Sequence, residues 1–350
     1  MKVLIVSPGS NPQTDKIAAE LAKNSIQSEV VDQLHPLRII LNRYDLVHFF
    51  EPQSHNSNKL QSLLQQFSQT IQSFFIHVAG LPTLMTFYDR PFDDKITTHF
   101  SDQFTALTAS HIDQLKSLRT FQGEKMILPS LPNINQDSKT ADSPMSAEQP
   151  TLIIPIQDSF ADLLKYSKIN FKNVCHHEIY VDARQLKSKM NNSQIRKTWQ
   201  KFIKSQSEFA SFILFTSDDV FCDLELTSNL FILIANNDLS QTQMTLWIES
   251  YLNFNSTLIL DENQATGFSK FWKHKKNCFI VSDSLSKANT QSELSEFINH
   301  SQIKQSTSTE RKSLFSQSID SKINELTRLY TKVIQQKTSL NHRSSAKMEV

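Results

Sequence analysis

Apolar residues in this chain come in short unbroken runs, separated by stretches where they recur every third or fourth position. Unbroken runs of four to six, closed by turn residues, predict strands buried on both faces; the wider spacing predicts helices with one apolar face. Lys2–Val6 is such a strand, followed by Ser7, Pro8, Gly9, Ser10, Asn11 and Pro12. Thr14 is then placed to cap a helix carrying Ile17, Ala18, Leu21 and Ala22 on one face. Strands follow at Ser28–Val31 and Asp45–Phe50, the second bounded by Glu51-Pro52. Leu60, Leu63, Leu64, Phe67 and Ile71 mark an amphipathic helix ending near Gly80. Further strands are predicted at Thr83–Phe87, Phe104–Thr108 and Lys125–Leu128, with a helix capped by Ser110 between the last two.

The stretch 130–150 has little apolar content and three prolines, and it reads as a linker. Alternation then resumes, with strands at Thr151–Ile156, His177–Val181, Phe209–Phe215, Asn229–Ala235, Thr257–Leu260 and Asn277–Val281. Helices are expected near Ser193–Lys204, around Met244, Trp247, Ile248, Tyr251 and Leu252, at Ser286–Asn299 and at Lys312–Gln336. The expected organisation is therefore an amino-terminal domain over 1–130, a linker over 131–150 and a second domain over 151–311. A closing helix over 312–336 and a frayed polar tail over 337–350 complete it. Strands alternating with helices on both sides of a linker predict two doubly wound parallel sheets, with ligands beyond the carboxyl ends of the strands, in a cleft between the domains.

Composition narrows the function classes. The net charge of +1 argues against nucleic acid as a partner. Lys and Arg number 12 against 15 Asp and Glu up to residue 150, and 24 against 20 beyond it, so the second half is mildly basic. Cys175, Cys222 and Cys278 lack CxxC spacing, which suggests a reducing cytoplasm and no zinc. No apolar run reaches transmembrane length, and MKVLIVSPGS reads as a buried strand too short for a signal-peptide core. Only 4 glycines occur, where about 25 would be average. Loops that wrap phosphates need glycine for close backbone approach, so few can form. GxGxxG, Walker A, GxSxG, HExxH and Asp-x-Asp are absent.

The order of segments resembles glycosyltransferase family 4, retaining enzymes of GT-B architecture that use nucleotide sugars. Asp45-Leu46-Val47-His48 resembles the family's Asp-Val-Val-His strand end, and Gly80-Leu81-Pro82-Thr83-Leu84-Met85-Thr86 its Gly-x-Pro strand. Leu107-Thr108-Ala109-Ser110 and Lys125–Pro129 match the next strand, capped helix and strand. Leu230–Ala235, a helix with Glu249, and Thr257–Leu260 follow the donor-binding core, with Gly267 and Asn277 where turns would lie. Leu314-Phe315-Ser316, leading to Leu329-Tyr330, resembles the closing helix. The resemblance implies an α/β GT-B fold: two Rossmann-like doubly wound domains facing a cleft.

It also implies roles for particular positions. The family pairs two Glu in the donor site, one on the sugar and one on the ribose. Glu249 fits the ribose position, while Gln241 stands where the first Glu is expected, able to hydrogen-bond hydroxyls but not to supply charge. Asp238 is a substitute for that charge. Gly267 is a third donor-side candidate. Tyr88 occupies the position of the family's His and is a poor proton shuttle at neutral pH. Gly9, with the helix start near Thr14, is the candidate approach for an acceptor or phosphate. After Thr151–Ile156 the chain reads Gln157-Asp158-Ser159, then Lys165 and Lys168, without the Arg and Gly of the family's diphosphate clamp. His48 and His77, each flanked by apolar residues, read as core histidines.

Lys270, Lys273, His274, Lys275 and Lys276 around Phe271 and Trp272 read either as a solvated turn or as a patch for anionic lipid headgroups or phosphate. Two functions follow from the resemblance. One is transfer of a sugar from a nucleotide-sugar donor to a glycan or cell-envelope acceptor, with no metal or other cofactor. The other is a catalytically degenerate GT-B protein serving as a binding module or partner subunit of an active glycosyltransferase. A different enzyme on paired Rossmann domains, such as a nucleotide-sugar epimerase, is a third. The expected place is the cytoplasm, with peripheral contact at the inner face of the membrane.

Overall fold

A computed structural model describes residues 1–7, 12–32, 43–50, 81–87, 104–109, 121–132, 150–175, 178–227, 229–235, 241–253, 256–300 and 308–346. The predicted helix over Leu60–Ile71, the Ser110 helix and most of the 131–150 linker lie outside these residues. The chain divides into two compact units, Met1–Leu131 with Gln317–Val350, and Pro132–Ser316.

The first unit is a parallel sheet of β1 (Lys2–Val6), β2 (Gln27–Val31), β3 (Leu46–Phe50), β4 (Thr83–Phe87), β5 (Ala106–Ala109) and β6 (Glu124–Ile127), in the order β2-β1-β3-β4-β5-β6. Helix α1 (Pro12–Lys23) follows β1 and buries Ile17 and Leu21. It starts three residues earlier than a Thr14 cap would place it. Pro12, with its preset φ and no N–H to lose, opens the first turn. Thr14 therefore lies inside that turn, buried, and does not precede it as a cap.

In the second unit the chain lays down β7 (Pro150–Pro155), β8 (Ile179–Asp182) and β9 (Ile213–Phe215) in one direction. It then returns past β7 to add β10 (Asn229–Leu233), β11 (Ser256–Asp261) and β12 (Cys278–Val281). All pairings are parallel, and the order β12-β11-β10-β7-β8-β9 puts a topological switch between β7 and β10. These two central strands supply Leu152, Ile153, Ile154, Phe231, Ile232 and Leu233, all fully buried, as unbroken apolar runs require. The expected fold class, two doubly wound Rossmann-like parallel-sheet units, is what the molecule has.

Among the described residues, the α-helices of this unit include α2 (Phe171–Val174), α3 (Asn192–Ser205), α4 (Asp218–Thr227), α5 (Gln241–Asn253), α6 (Glu262–Thr266) and α7 (Ala288–His300). Asn191 opens α3 by a capping box, accepting from the Gln194 backbone while the Gln194 side chain accepts from its own. The predicted strand over Phe209–Phe215 forms only from Ile213. Phe209 and Phe212 are both buried, and residues three apart share a face in a turn but not in a strand of period two.

The last helix, α8 (Ser308–Ala346), is longer than the predicted Lys312–Gln336 and runs through most of the tail expected to fray. No Gly or Pro interrupts 337–346 to stop it. Its Tyr330 is fully buried in the first unit, and the hydroxyl lies 2.7 Å from Nδ1 of His48 on β3. Nε2 of His48 lies 2.5 Å from the hydroxyl of Thr86, which is 2.5 Å from that of Thr108. This chain of hydrogen bonds ties α8 to three adjacent strands. Burial pushes the His48 pKa down to about 3, so the ring is neutral there, as expected of a satisfied core histidine.

Gly123 precedes β6 at a close approach. A β-carbon there would sit 2.5 Å from the Thr105 carbonyl oxygen and 2.4 Å from the Phe121 ring. That oxygen also accepts from the Glu124 amide, so the backbone cannot retreat without loosening β5 against β6. Gly123→Ala should lower stability by about 1–3 kcal/mol, read as a shift of the urea midpoint. An unchanged midpoint would mean that the Phe121 ring and the strand shift freely.

Candidate functional site

The described pocket with an apolar lining and convergent polar groups lies within the second unit, beyond the carboxyl ends of β7 and β8. It is a cavity of about 420 Å³. Pro155, Ile156 and Gln157 enter it as the chain leaves β7; Asp182 is the last residue of β8, and Arg184 follows after buried Ala183. The start of α4 adds Asp218 and Phe221, and one side of α5 adds Trp247, Glu249 and Ser250.

Arg184 organises the polar side. Its Nε donates to both oxygens of Asp182, at 3.0 and 3.1 Å, and Nη2 donates to Asp182 Oδ2 at 2.8 Å. The Arg184 backbone amide also donates to Asp182, at 3.0 Å. Nη1 donates to Asp218 at 2.9 Å. The two carboxylates differ in setting: the Asp182 side chain is 5% exposed and that of Asp218 is 80% exposed. The guanidinium lies 4.0 Å from the Phe221 ring centre, with Phe215 and Trp247 at 5.7 and 5.8 Å. Burial opposes its charge, but Asp182 and then Asp218 more than offset this and hold the Arg184 pKa above its ordinary value.

Among the described residues, Asp182, Asp218 and Glu249 give the lining three carboxylates against one guanidinium, a formal excess of two negative charges. The Gln157 side-chain nitrogen is buried and, among the described residues, has no hydrogen-bond partner. A ligand offering neutral acceptor oxygens fits this lining better than one that brings further negative charge.

Of the residues singled out in the sequence, Glu249 lines the pocket, half-buried on α5. Gln241 is the first residue of that helix, and its side chain lies outside the described ones. Gly267 follows α6 with right-handed backbone angles (φ −53°, ψ −42°) and also lies outside the lining. Thr14 belongs to the first unit. Gly9, His77, Tyr88 and Asp238 lie outside the described residues. Lys165 and Lys168 are exposed.

Phe271 and Trp272 are buried against Tyr251 and Phe315, so these rings are core, while the lysines around them are exposed, as in the solvated-turn reading. The cation of this site, Arg184, follows the neighbouring strand β8 and not the first strand of the unit, where the family resemblance puts it. The legible signal was Asp182-Ala183-Arg184, an acid and a base set at a strand end.

No family model matches the chain, and a search of the curated proteins finds none similar to it. Among solved structures, the chain is similar to Anabaena HepE in complex with UDP, at TM-score 0.48 and 13% identity over 97% of this chain and 100% of that one. It is also similar to accessory secretory proteins 1, 2 and 3 of Streptococcus pneumoniae, at 0.45 and 13%, over 87% of this chain and 56% of that one. A third is AviGT4, a glycosyltransferase involved in avilamycin A biosynthesis, at 0.43 and 11%, over 95% and 98%. The fold assignment rests on the sheet order and not on these likenesses. Among the described residues no helix is long and apolar enough to cross a membrane.

Proposed function

We propose that this protein is a GT-B-like binding module, or partner subunit of an active glycosyltransferase, whose second-unit pocket takes a polar ligand of low charge. The observation that carries this reading is the pairing of Arg184. The one guanidinium in the described lining is shared between two carboxylates, and Glu249 adds a third, so the described lining carries a formal excess of two negative charges. A leaving diphosphate needs unpaired positive charge, so this arrangement opposes transfer from a nucleotide sugar. Gln241 in place of the family's first Glu supports the same reading. The burial of Phe271 and Trp272 takes the aromatic residues away from a lipid-binding surface.

Sugar transfer is the second reading, favoured by Glu249 lying in the pocket where the family's ribose-binding Glu is expected. A thermal-shift screen separates the two. A nucleotide sugar at 100 times its dissociation constant stabilises a donor site by about 2.7 kcal/mol. The expected result is no larger shift with nucleoside diphosphate sugars than with buffer phosphate. A shift of several degrees that Glu249→Ala abolishes would restore the transferase reading.

A further inference from the structure

We propose that Asp218 is the specificity determinant that keeps oxyanions off Arg184. This deepens the binding-module reading and rests on it. The guanidinium has one permanent partner and one removable partner. Asp182 is buried, grips it from the side through Nε and Nη2, and is itself held by the Arg184 backbone amide. Asp218 takes a single hydrogen from Nη1 and is 80% exposed. Exposed pairs of that kind contribute little to stability, so Asp218 can leave the guanidinium without unfolding the site.

Among the described residues, the second hydrogen on each terminal nitrogen has no acceptor. Arg184 is thus fixed in place by Asp182 and the Phe221 ring, with donors to spare in a pocket that a small ligand can enter. What opposes a phosphoryl group there is the Asp218 charge beside the same Nη1. Removing that charge while keeping the side chain's shape should turn the pocket into an oxyanion site.

The test measures binding of inorganic pyrophosphate and of UDP by calorimetry at low ionic strength, where screening is weakest. The proteins compared are the unmodified chain, Asp218→Asn and Asp219→Asn. Asp219 is the control, being the next residue and exposed, and its carboxylate is bonded to the Ser217 hydroxyl instead of to Arg184. The expected result is weak binding by the unmodified chain. Asp218→Asn should bind pyrophosphate about tenfold tighter, equivalent to about 1.4 kcal/mol, with Asp219→Asn close to the unmodified chain. Equal gains in both variants would overturn the proposal, since general charge and not the Arg184 pairing would then be responsible. Weak binding by all three would overturn the role of Asp218 and leave the binding-module reading standing. Tight UDP binding by the unmodified chain would overturn both.

Discussion

Replacing Arg184 with methionine should cost about 3–5 kcal/mol of stability in the second unit. Methionine keeps most of the apolar stem and removes the guanidinium that lies over the Phe221 ring, so the largest part of the loss is the charge. What it leaves behind is Asp182, 5% exposed and deprived of three side-chain hydrogen bonds at 2.8–3.1 Å. Adding Asp182→Asn to the same chain should recover more than half of the loss, because a neutral amide is far less costly to bury than a lone carboxylate. Urea unfolding followed by tryptophan fluorescence reads this directly, since Trp199, Trp247 and Trp272 all belong to the second unit. Equal losses in the single and double variants would show that packing, and not the stranded charge, is responsible.

Mild acid should weaken the first unit through His48. Its pKa is about 3 in the folded chain against an ordinary value near 6.5, so between these values the unfolded chain holds a proton that the folded chain does not. Stability is therefore full above the unfolded pKa and falls as pH drops from about 6.5 toward about 3. From about pH 7.5 to about pH 5 the loss should be roughly 2 kcal/mol, and it should reach roughly 4–5 kcal/mol at the acid end. His48→Gln keeps a donor and an acceptor but does not titrate, so it should be less stable at neutral pH and lose less on acidification. Far-UV circular dichroism is the probe, because the first unit has no tryptophan. The same acid dependence in both proteins would remove His48 as its source.

The strands were legible because burial on both faces demands unbroken apolar runs, and Lys2–Val6, Thr83–Phe87 and Asn229–Leu233 satisfy that demand locally. Helix bounds were less legible. Nothing in residues 337–346 signals continuation, and Pro12 outranked Thr14 as a start because its fixed φ acts on the backbone itself. Glu249 was visible only through its place in an ordered series of resemblances, since an acid on an amphipathic helix has no local mark of function. At Phe271 and Trp272 the sequence left two readings open, a solvated turn or a lipid patch. The two rings turn inward onto Tyr251 and Phe315, far from them in sequence, which the flanking lysines do not signal.

From sequence alone, then, come the two Rossmann-like units, the strands that build them and Glu249 as the residue to watch. Those follow from periodicity and order, which act between near neighbours. Tertiary structure alone decided the character of the pocket. Asp182, Arg184, Asp218, Phe221 and Trp247 come from one strand end and two helices, and parallel crossovers bring them together across long intervals of chain. Whether a guanidinium is available to a ligand or already paired depends on distances between such residues, and those exist only once the sheet has formed.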